Sequence, residues 1–307
     1  MKKLLLTSLC ALGVHRFAAW WNRNRVIILC YHGITENANR YPGRNVGQDV
    51  YRDNFAEHLG YLQRHYGIIS LDEYVAACRA RKPLPPYTVV VTFDDGFLNF
   101  ATVAAPLLSK RGVPSTVFVI TDTLKASENG THKGSAALSD DERFLSWKEV
   151  SELEQNQLVK IGSHTCSHPH LFSISADEVA RELSESRIAI KNQLQSEGIA
   201  FAYPYGGFTA SLAEQARAEG YHCALTIEGG PNDIDSDLYS LRRNVISHED
   251  QGLLFAARVS CLTWWLSKLQ DKLKAGGRSL TALFNAEPSP IVRLLNDVPS
   301  KEDTSRG

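Results

Sequence analysis

The sequence predicts an α/β fold built on a parallel, barrel-like sheet. Three observations predict it. Seven short apolar, β-branched runs recur between about residues 26 and 250, longer amphipathic segments separate them, and the runs are apolar at nearly every position instead of alternating. Strands of that kind are covered on both faces, which implies parallel strands joined by crossover helices. Seven of them suffice to curl the sheet into a barrel or something close to one, with chemistry at the carboxyl ends of the strands.

In chain order, residues 1–25 come first. They hold Lys2, Lys3, Arg16, Arg23 and Arg25 with no acid, around an apolar stretch from Leu4 to Val14 followed by Trp20 and Trp21. A secretory signal has this charge and apolar length, but its small-residue pair, Ala11 and Gly13, would cut the apolar core short. His15 and Arg16 also interrupt the stretch well before the roughly 20 residues that a membrane span needs. Three readings stay open: an interfacial helix with tryptophan anchors, an uncleaved signal-like segment, and a helix that docks on the domain. The strand runs follow at Val26–Tyr31, Thr88–Phe93, 115–121, Val159–Ser163, 200–203, 221–226 and 241–246. Among the helices the clearest starts at Ser175, where Glu178 completes a capping box and Val179, Leu183, Ile190 and Leu194 then share one face. Residues 253–273 are helical in pattern and carry Trp264 and Trp265 with a basic end at Lys268, Lys272 and Lys274. No repeat and no linker divides residues 26–250, so they form one domain. Residues 251–285 are a basic helical extension, and 286–307, rich in Pro, Ser and charge, are expected to be a loose tail.

With 307 residues, 43% hydrophobic and 22% charged, the chain buries a core unaided, and disorder and collagen are excluded. Thirty-three basic against 34 acidic residues leave a net charge of −1, which gives no global field for nucleic acid. The positive charge is concentrated instead at 1–25 and 258–278, which predicts contact with a membrane surface through residues 1–25 and 253–275. Six cysteines without a CxxC pair exclude a disulfide scaffold. Free thiols such as Cys166 favour a reducing compartment, so the expected location is membrane-associated, the cytoplasmic face ahead of export.

Three segments carry chemistry. Val89 to Phe93 is a strand that ends in Asp94, Asp95 and Gly96. Neighbouring aspartates serve one site only where the strand has ended and the chain turns, although a DDG turn also simply exits strands. His164 and His168 follow the next such strand at a spacing of four, close enough to meet one metal in a helical turn; a histidine-rich exposed loop is the plain alternative. Two imidazoles and one carboxylate make a catalytic zinc set with an open position, and the spare carboxylate takes a proton. After a third strand, Tyr203 to Gly207 fixes an unusual backbone path on which an amide N–H can serve as an oxyanion donor.

TFDDG at 92–96, SHTCSH at 163–168 and YPYG at 203–206 resemble, in that order, the first three motifs of the polysaccharide deacetylases of the NodB-homology type. LCYHGI at 29–34 and LSW at 145–147 are similar to segments of that family's exopolysaccharide branch. The resemblance covers roughly 26–250 and implies a distorted (β/α) barrel, with helical extensions at both ends, that hydrolyses N-acetyl groups of amino sugars in a polysaccharide or lipid-linked glycan. It implies Asp95, His164 and His168 as ligands of one divalent metal, zinc first, with cobalt, nickel or manganese as alternatives. Asp94 is then the base and the Tyr205 backbone N–H an oxyanion donor. Many members place an arginine two residues before the proline, where this chain has Ala202; Arg243 is the expected replacement. For the general acid, His248 in Ile246-Ser247-His248 is placed ahead of His32. Hydrolysis of a non-sugar amide, and a degenerate glycan-binding protein, are the competing readings.

Overall fold

β1 (Val26–Tyr31) is buried at all six positions, as its unbroken apolar run requires. In the computed structural model, which describes residues 2–36, 48–129 and 143–275, it follows two helices, α1 (Lys2–Ala11) and α2 (Val14–Trp21). A small two-stranded sheet, β2 (Ile34–Thr35) with β3 (Val50–Tyr51), then leads into α3 (Arg52–His65), β4 (Gly67–Ile69) and α4 (Leu71–Ala80). The strand–helix alternation continues through β5 (Thr88–Phe93), α5 (Ala105–Lys110), β6 (Ser115–Val119), α6 (Thr121–Glu128), α7 (Trp147–Glu154), β7 (Val159–Ser163) and α8 (Ala176–Leu194). It ends with β8 (Phe201–Ala202), α9 (Ala210–Ala218), β9 (Ala224–Leu225), β10 (Asn244–Val245), α10 (Leu253–Val259) and α11 (Leu262–Ala275).

All the pairings of the main sheet are parallel, in the order β10, β1, β5, β6, β7, β8, β9, with β4 also against β5. Leu241 forms a parallel bridge to Leu225 of β9, and Asn244, three residues later, pairs with Leu29 of β1. One short segment therefore touches both edges and brings the curled sheet round on itself, the distorted barrel that the alternation predicts. The late strands are shorter than their apolar runs because 200–203 and 221–226 keep ladder pairing at only two residues each.

Side chains alternate across these strands, and two cores result. Ile27, Leu29, Tyr31, Val89, Val91 and Phe93 pack outward with Phe55, Leu59 and Leu62 of α3. Val26, Ile28, Val90, Phe118, Ala202 and Leu225 pack together inside the barrel, with Tyr74 and Val75 of α4. Gly162 pairs with Phe118 in register, and a Cβ there would collide with the Phe118 ring, so the glycine makes room for that ring. The inward parity continues to Cys30 and Thr92, adjacent in register at the carboxyl end, and this is what aims Asp94 into the mouth.

The capping box at Ser175 forms as expected, the hydroxyl accepting from the Glu178 N–H, and Val179, Leu183 and Ile190 are buried along the predicted face. The chain divides into two compact units, Met1–Trp264 and Trp265–Gly307. In the first, α1 and α2 both pack against α10, burying Cys10 and Ala18. The second is described only through the remainder of α11; the expected tail at 286–307 and the end of the helical extension lie outside the described residues. Trp264 lies against Gly230 with the Arg242 guanidinium 6.0 Å from its ring, so this tryptophan packs on the barrel.

Candidate active site

Asp95, His164 and His168 come together from the ends of β5 and β7. The His164 Nε2 lies 3.5 Å from Asp95 Oδ1, the His168 Nε2 lies 3.7 Å from the same oxygen, and the two nitrogens are 3.2 Å apart. Donors about 2.0–2.1 Å from a tetrahedral ion are separated by roughly 3.3 Å, so the three atoms already have the spacing of a metal's ligands. His164 Nδ1 is 2.7 Å from the Ala202 carbonyl, which fixes the tautomer with the proton on Nδ1 and leaves Nε2 bare for a cation. Burial and the neighbouring His164 hold the His168 imidazole below its ordinary pKa, in the neutral form that ligates. The donor set fits a divalent transition metal.

The local backbone is strained to achieve this. Four of the non-glycine residues with left-handed backbone are Asp95 (φ 70°), Thr165 (φ 68°), His168 (φ 60°) and Tyr205 (φ 56°), all in the three motif loops. Gly96 (φ 70°) completes the turn after the aspartates, and a Cβ on it would come within 2.9 Å of Val119 Cγ1. The loop between the two histidines is tied down by Glu182 of α8. One of its carboxylate oxygens accepts the Cys166 and Ser167 N–H groups at 2.8 and 2.9 Å, and the other accepts the Ser167 hydroxyl at 2.6 Å. Sequence reasoning passed over Glu182. The available signal was an acid on the apolar stripe of α8, one residue before Leu183.

Asp94 stands beside the trio, 4.0 Å from His164 Nε2, and is clamped by Arg243. Nη1 donates to Oδ1 at 2.6 Å and Nη2 to Oδ2 at 2.7 Å, while Nε donates to the Thr226 carbonyl at 2.9 Å. Both side chains are buried, and the Cys30 thiol adds a donor to Oδ2 at 3.4 Å. Burial alone would raise the Asp94 carboxyl; the Arg243 charge outweighs it and holds the group well below the usual carboxylate range.

The structure separates the two candidate acids. His32, the residue after β1, has a ring nitrogen within 4.8 Å of both the Asp94 carboxylate and the Cys30 sulfur. Its Nδ1 is buried without a hydrogen-bond partner, and burial, only partly offset by Asp95 and Asp94, lowers its pKa. Cys30, His32 and Asp94 would pass as a second cation site on spacing, but the guanidinium on both Asp94 oxygens already supplies the positive charge there. His248 belongs to neither cluster: it lies three residues past β10 in a turn closed by Ser247 and Asp250, its carbonyl accepting from Gln251. Tyr205 sits at the rim, half exposed, its ring stacked on His170 at 3.8 Å and 4.5 Å from that of His168. Phe172 and Ile227, also exposed, lie against Gly207 and Gly206 beside it.

Strand ends that deliver this cluster are shared by many enzymes, and comparison with known proteins decides among them. The family model described as polysaccharide deacetylase matches residues 81–224. The chain carries a polysaccharide deacetylase domain. The matched stretch contains Asp94, Asp95, His164, His168 and Tyr205, whereas His32 and Arg243 lie on either side of it. The chain is 25% identical over 237 residues to a Bacillus subtilis protein named as a polysaccharide deacetylase, YxkH, covering 76% of each. It is also 25% identical over 268 residues to the poly-β-1,6-N-acetyl-D-glucosamine N-deacetylase of Escherichia coli K12, covering 78% of this chain but 39% of that protein. Among solved structures, the Streptococcus pyogenes deacetylase PplD in complex with acetate superposes with a TM-score of 0.64 at 26% identity, over 77% of this chain and 99% of that one. IcaB from Ammonifex degensii shares the fold, with a TM-score of 0.62 at 22% identity over 77% of this chain and 97% of that one.

Proposed function

We propose that the protein is a metal-dependent hydrolase that removes N-acetyl groups from amino sugars of a polysaccharide or lipid-linked glycan. One observation carries the reading: a three-donor cation site, Asp95, His164 and His168, stands next to a carboxylate, Asp94, that is ionised and locked in orientation by Arg243. When bound, a divalent ion supplies Lewis acidity at the acetamide carbonyl and makes water acidic enough to lose a proton near neutral pH. Zinc suits two imidazoles and a carboxylate, with cobalt, nickel and manganese able to replace it.

Asp94 accepts the proton of the attacking water, and Arg243 keeps the accepting oxygen turned toward the cluster. His32 delivers a proton to the departing amine. Its unpartnered Nδ1 and its closeness to Asp94 favour it over His248. The left-handed turn at Tyr205 presents the backbone N–H of that residue to the developing oxyanion. The exposed Tyr205 ring, with Phe172 and Ile227 close by, gives the apolar faces of a pyranose a surface to lie on. That rim favours a sugar over a small cyclic amide, and relatives named for poly-β-1,6-N-acetyl-D-glucosamine and chitin point the same way.

Acetate release from β-1,6- and β-1,4-linked N-acetylglucosamine oligomers, measured together with metal content for wild type and His164→Ala, tests the reading. The wild type should bind close to one equivalent of metal and release acetate, and the variant should lose both. A metal-loaded wild type that binds these oligomers without releasing acetate would instead support a degenerate, glycan-binding protein.

A further inference from the structure

We infer that α1 and α2 form a docking surface for an anionic lipid bilayer, held rigidly on the barrel. The two helices meet at an angle of 76° and are built into the fold. Cys10 and Ala18 are buried where the pair packs against α10, and the Asn22 side chain donates to the Ser260 carbonyl at 3.0 Å in a buried contact. Removal of this segment would uncover the face of α10 that it covers.

The opposite side of the pair is apolar and exposed. Leu4 is 74% and Leu12 81% exposed, and Phe17, Trp20 and Trp21 are each about half exposed. The three aromatic rings form one cluster, with centroids 5.7, 6.3 and 6.5 Å apart. Exposed aromatic and leucine side chains gathered in one short stretch are what an interfacial helix inserts below the headgroups. Arg23 stacks over Trp20, 4.6 Å from its ring, and donates to the Trp20 carbonyl, so a cation stands at the edge of the aromatic cluster.

Charge selects the partner. Residues 1–25 contain five cations and no acid, although the whole chain is nearly neutral. Such a surface matches anionic headgroups over acyl chains; α1 and α2 together have the length and apolarity of a span, but they are bent by 76° and packed against α10 instead of forming one straight helix. The occupant is therefore the surface of a bilayer, and the domain lies on it.

The inference is independent of the deacetylase chemistry, and its test does not read activity. Full-length protein with an intact N-terminus, confirmed by mass, is sedimented with vesicles of phosphatidylcholine alone and with 30% phosphatidylglycerol. Preferential partition to the anionic vesicles is expected. A Phe17→Ser, Trp20→Ser, Trp21→Ser variant should lower the partition by at least about tenfold, and Arg16→Glu with Arg23→Glu by a similar factor that raised salt reproduces in the wild type. Circular dichroism at matched protein concentration distinguishes lost docking from lost folding. Protein that stays in the supernatant with both vesicles, associates through this face only with itself, binds with undiminished strength after the aromatic substitutions, or is found without residues 1–25 when isolated from cells would overturn the proposal.

Discussion

Arg243 holds both carboxylate oxygens of Asp94 in a buried, two-pronged ion pair, at 2.6 and 2.7 Å, across 149 residues of chain. The arginine comes from the segment 241–245 that touches both β9 and β1, so the closure of the barrel and the orientation of the proposed base are one structural event. Its Nε is anchored on the Thr226 carbonyl and its guanidinium carbon lies 5.5 Å from the Phe118 ring, which together fix the direction of the fork. Ala202, two residues before Pro204, is fully buried among interior side chains, and its carbonyl orients His164. The orienting charge reaches Asp94 from a different strand.

Breaking this pair should therefore affect folding and rate together. Arg243→Met leaves a buried carboxylate without its partner, which costs about 3–5 kcal/mol of stability by chemical denaturation. The Asp94 carboxyl, held low against the effect of burial first by that guanidinium and then by His164 and His32, would rise. The acid limb of kcat/KM should accordingly move to higher pH in Arg243→Met and move less in Arg243→Lys. An unchanged pH profile in the methionine variant would show that Arg243 does not position the base.

Asp94→Asn separates the two aspartates. Asp95 carries the donor oxygen near both histidines, whereas Asp94 is engaged by Arg243 and the Cys30 thiol. The asparagine variant should keep the metal content of the wild type and lose acetate release by about 10²-fold or more, the usual size of a general-base contribution. Asp95→Asn should lose metal. Equal metal loss in both variants would mean that the carboxylates share the ion.

Much of this arrangement was legible in the residues, because strands buried on both faces and glycine-bearing turns leave strong local marks. TFDDG and SHTCSH end strands, and those strands pair through β6, so the ends meet. Arg243, expected from its position at the end of a strand, forms an ion pair with Asp94. Less visible was anything that depends on which non-local partner a side chain meets. His32 and His248 follow strands that neighbour each other, and it is the register of β1 with β5 that brings His32 to Asp94. β2, β3 and β4 span two or three residues each, too short for any periodicity to announce them.

Glu182 illustrates the same limit and yields a prediction. Its carboxylate holds the loop between His164 and His168 through two backbone N–H groups and the Ser167 hydroxyl. Glu182→Gln keeps size but removes the charge that accepts both N–H groups and replaces the acceptor at the Ser167 hydroxyl with a donor. Metal affinity, measured by competition with a chromophoric chelator, should fall about 10–100-fold, as for other groups that orient ligands from behind. Wild-type affinity in this variant would show that the loop holds its shape without the carboxylate.

His58 should make stability fall with acid. It is buried on α3, with Nε2 2.6 Å from the Asp250 carbonyl, Nδ1 3.3 Å from the Tyr31 hydroxyl, and its ring stacked 3.8 Å from that of Phe255. Nε2 donates to the carbonyl, so the Tyr31 hydroxyl donates to Nδ1, and a second ring proton has nowhere to go. Burial, only partly offset by the Asp250 carbonyl, pushes the pKa down to about 4 from its ordinary value of 6.5. Between those two values the unfolded chain binds a proton that the folded chain refuses, so stability rises with pH across that window and is lost as pH falls through it. From pH 7 to pH 5 the loss assigned to this histidine is about 2 kcal/mol. Urea denaturation of metal-free protein at the two pH values should show a decline in the wild type that is smaller by about that amount in His58→Gln, which keeps a donor for Asp250 and cannot titrate. Other buried histidines contribute equally to both proteins and cancel in the difference. Identical declines would show that His58 accepts the proton within the fold.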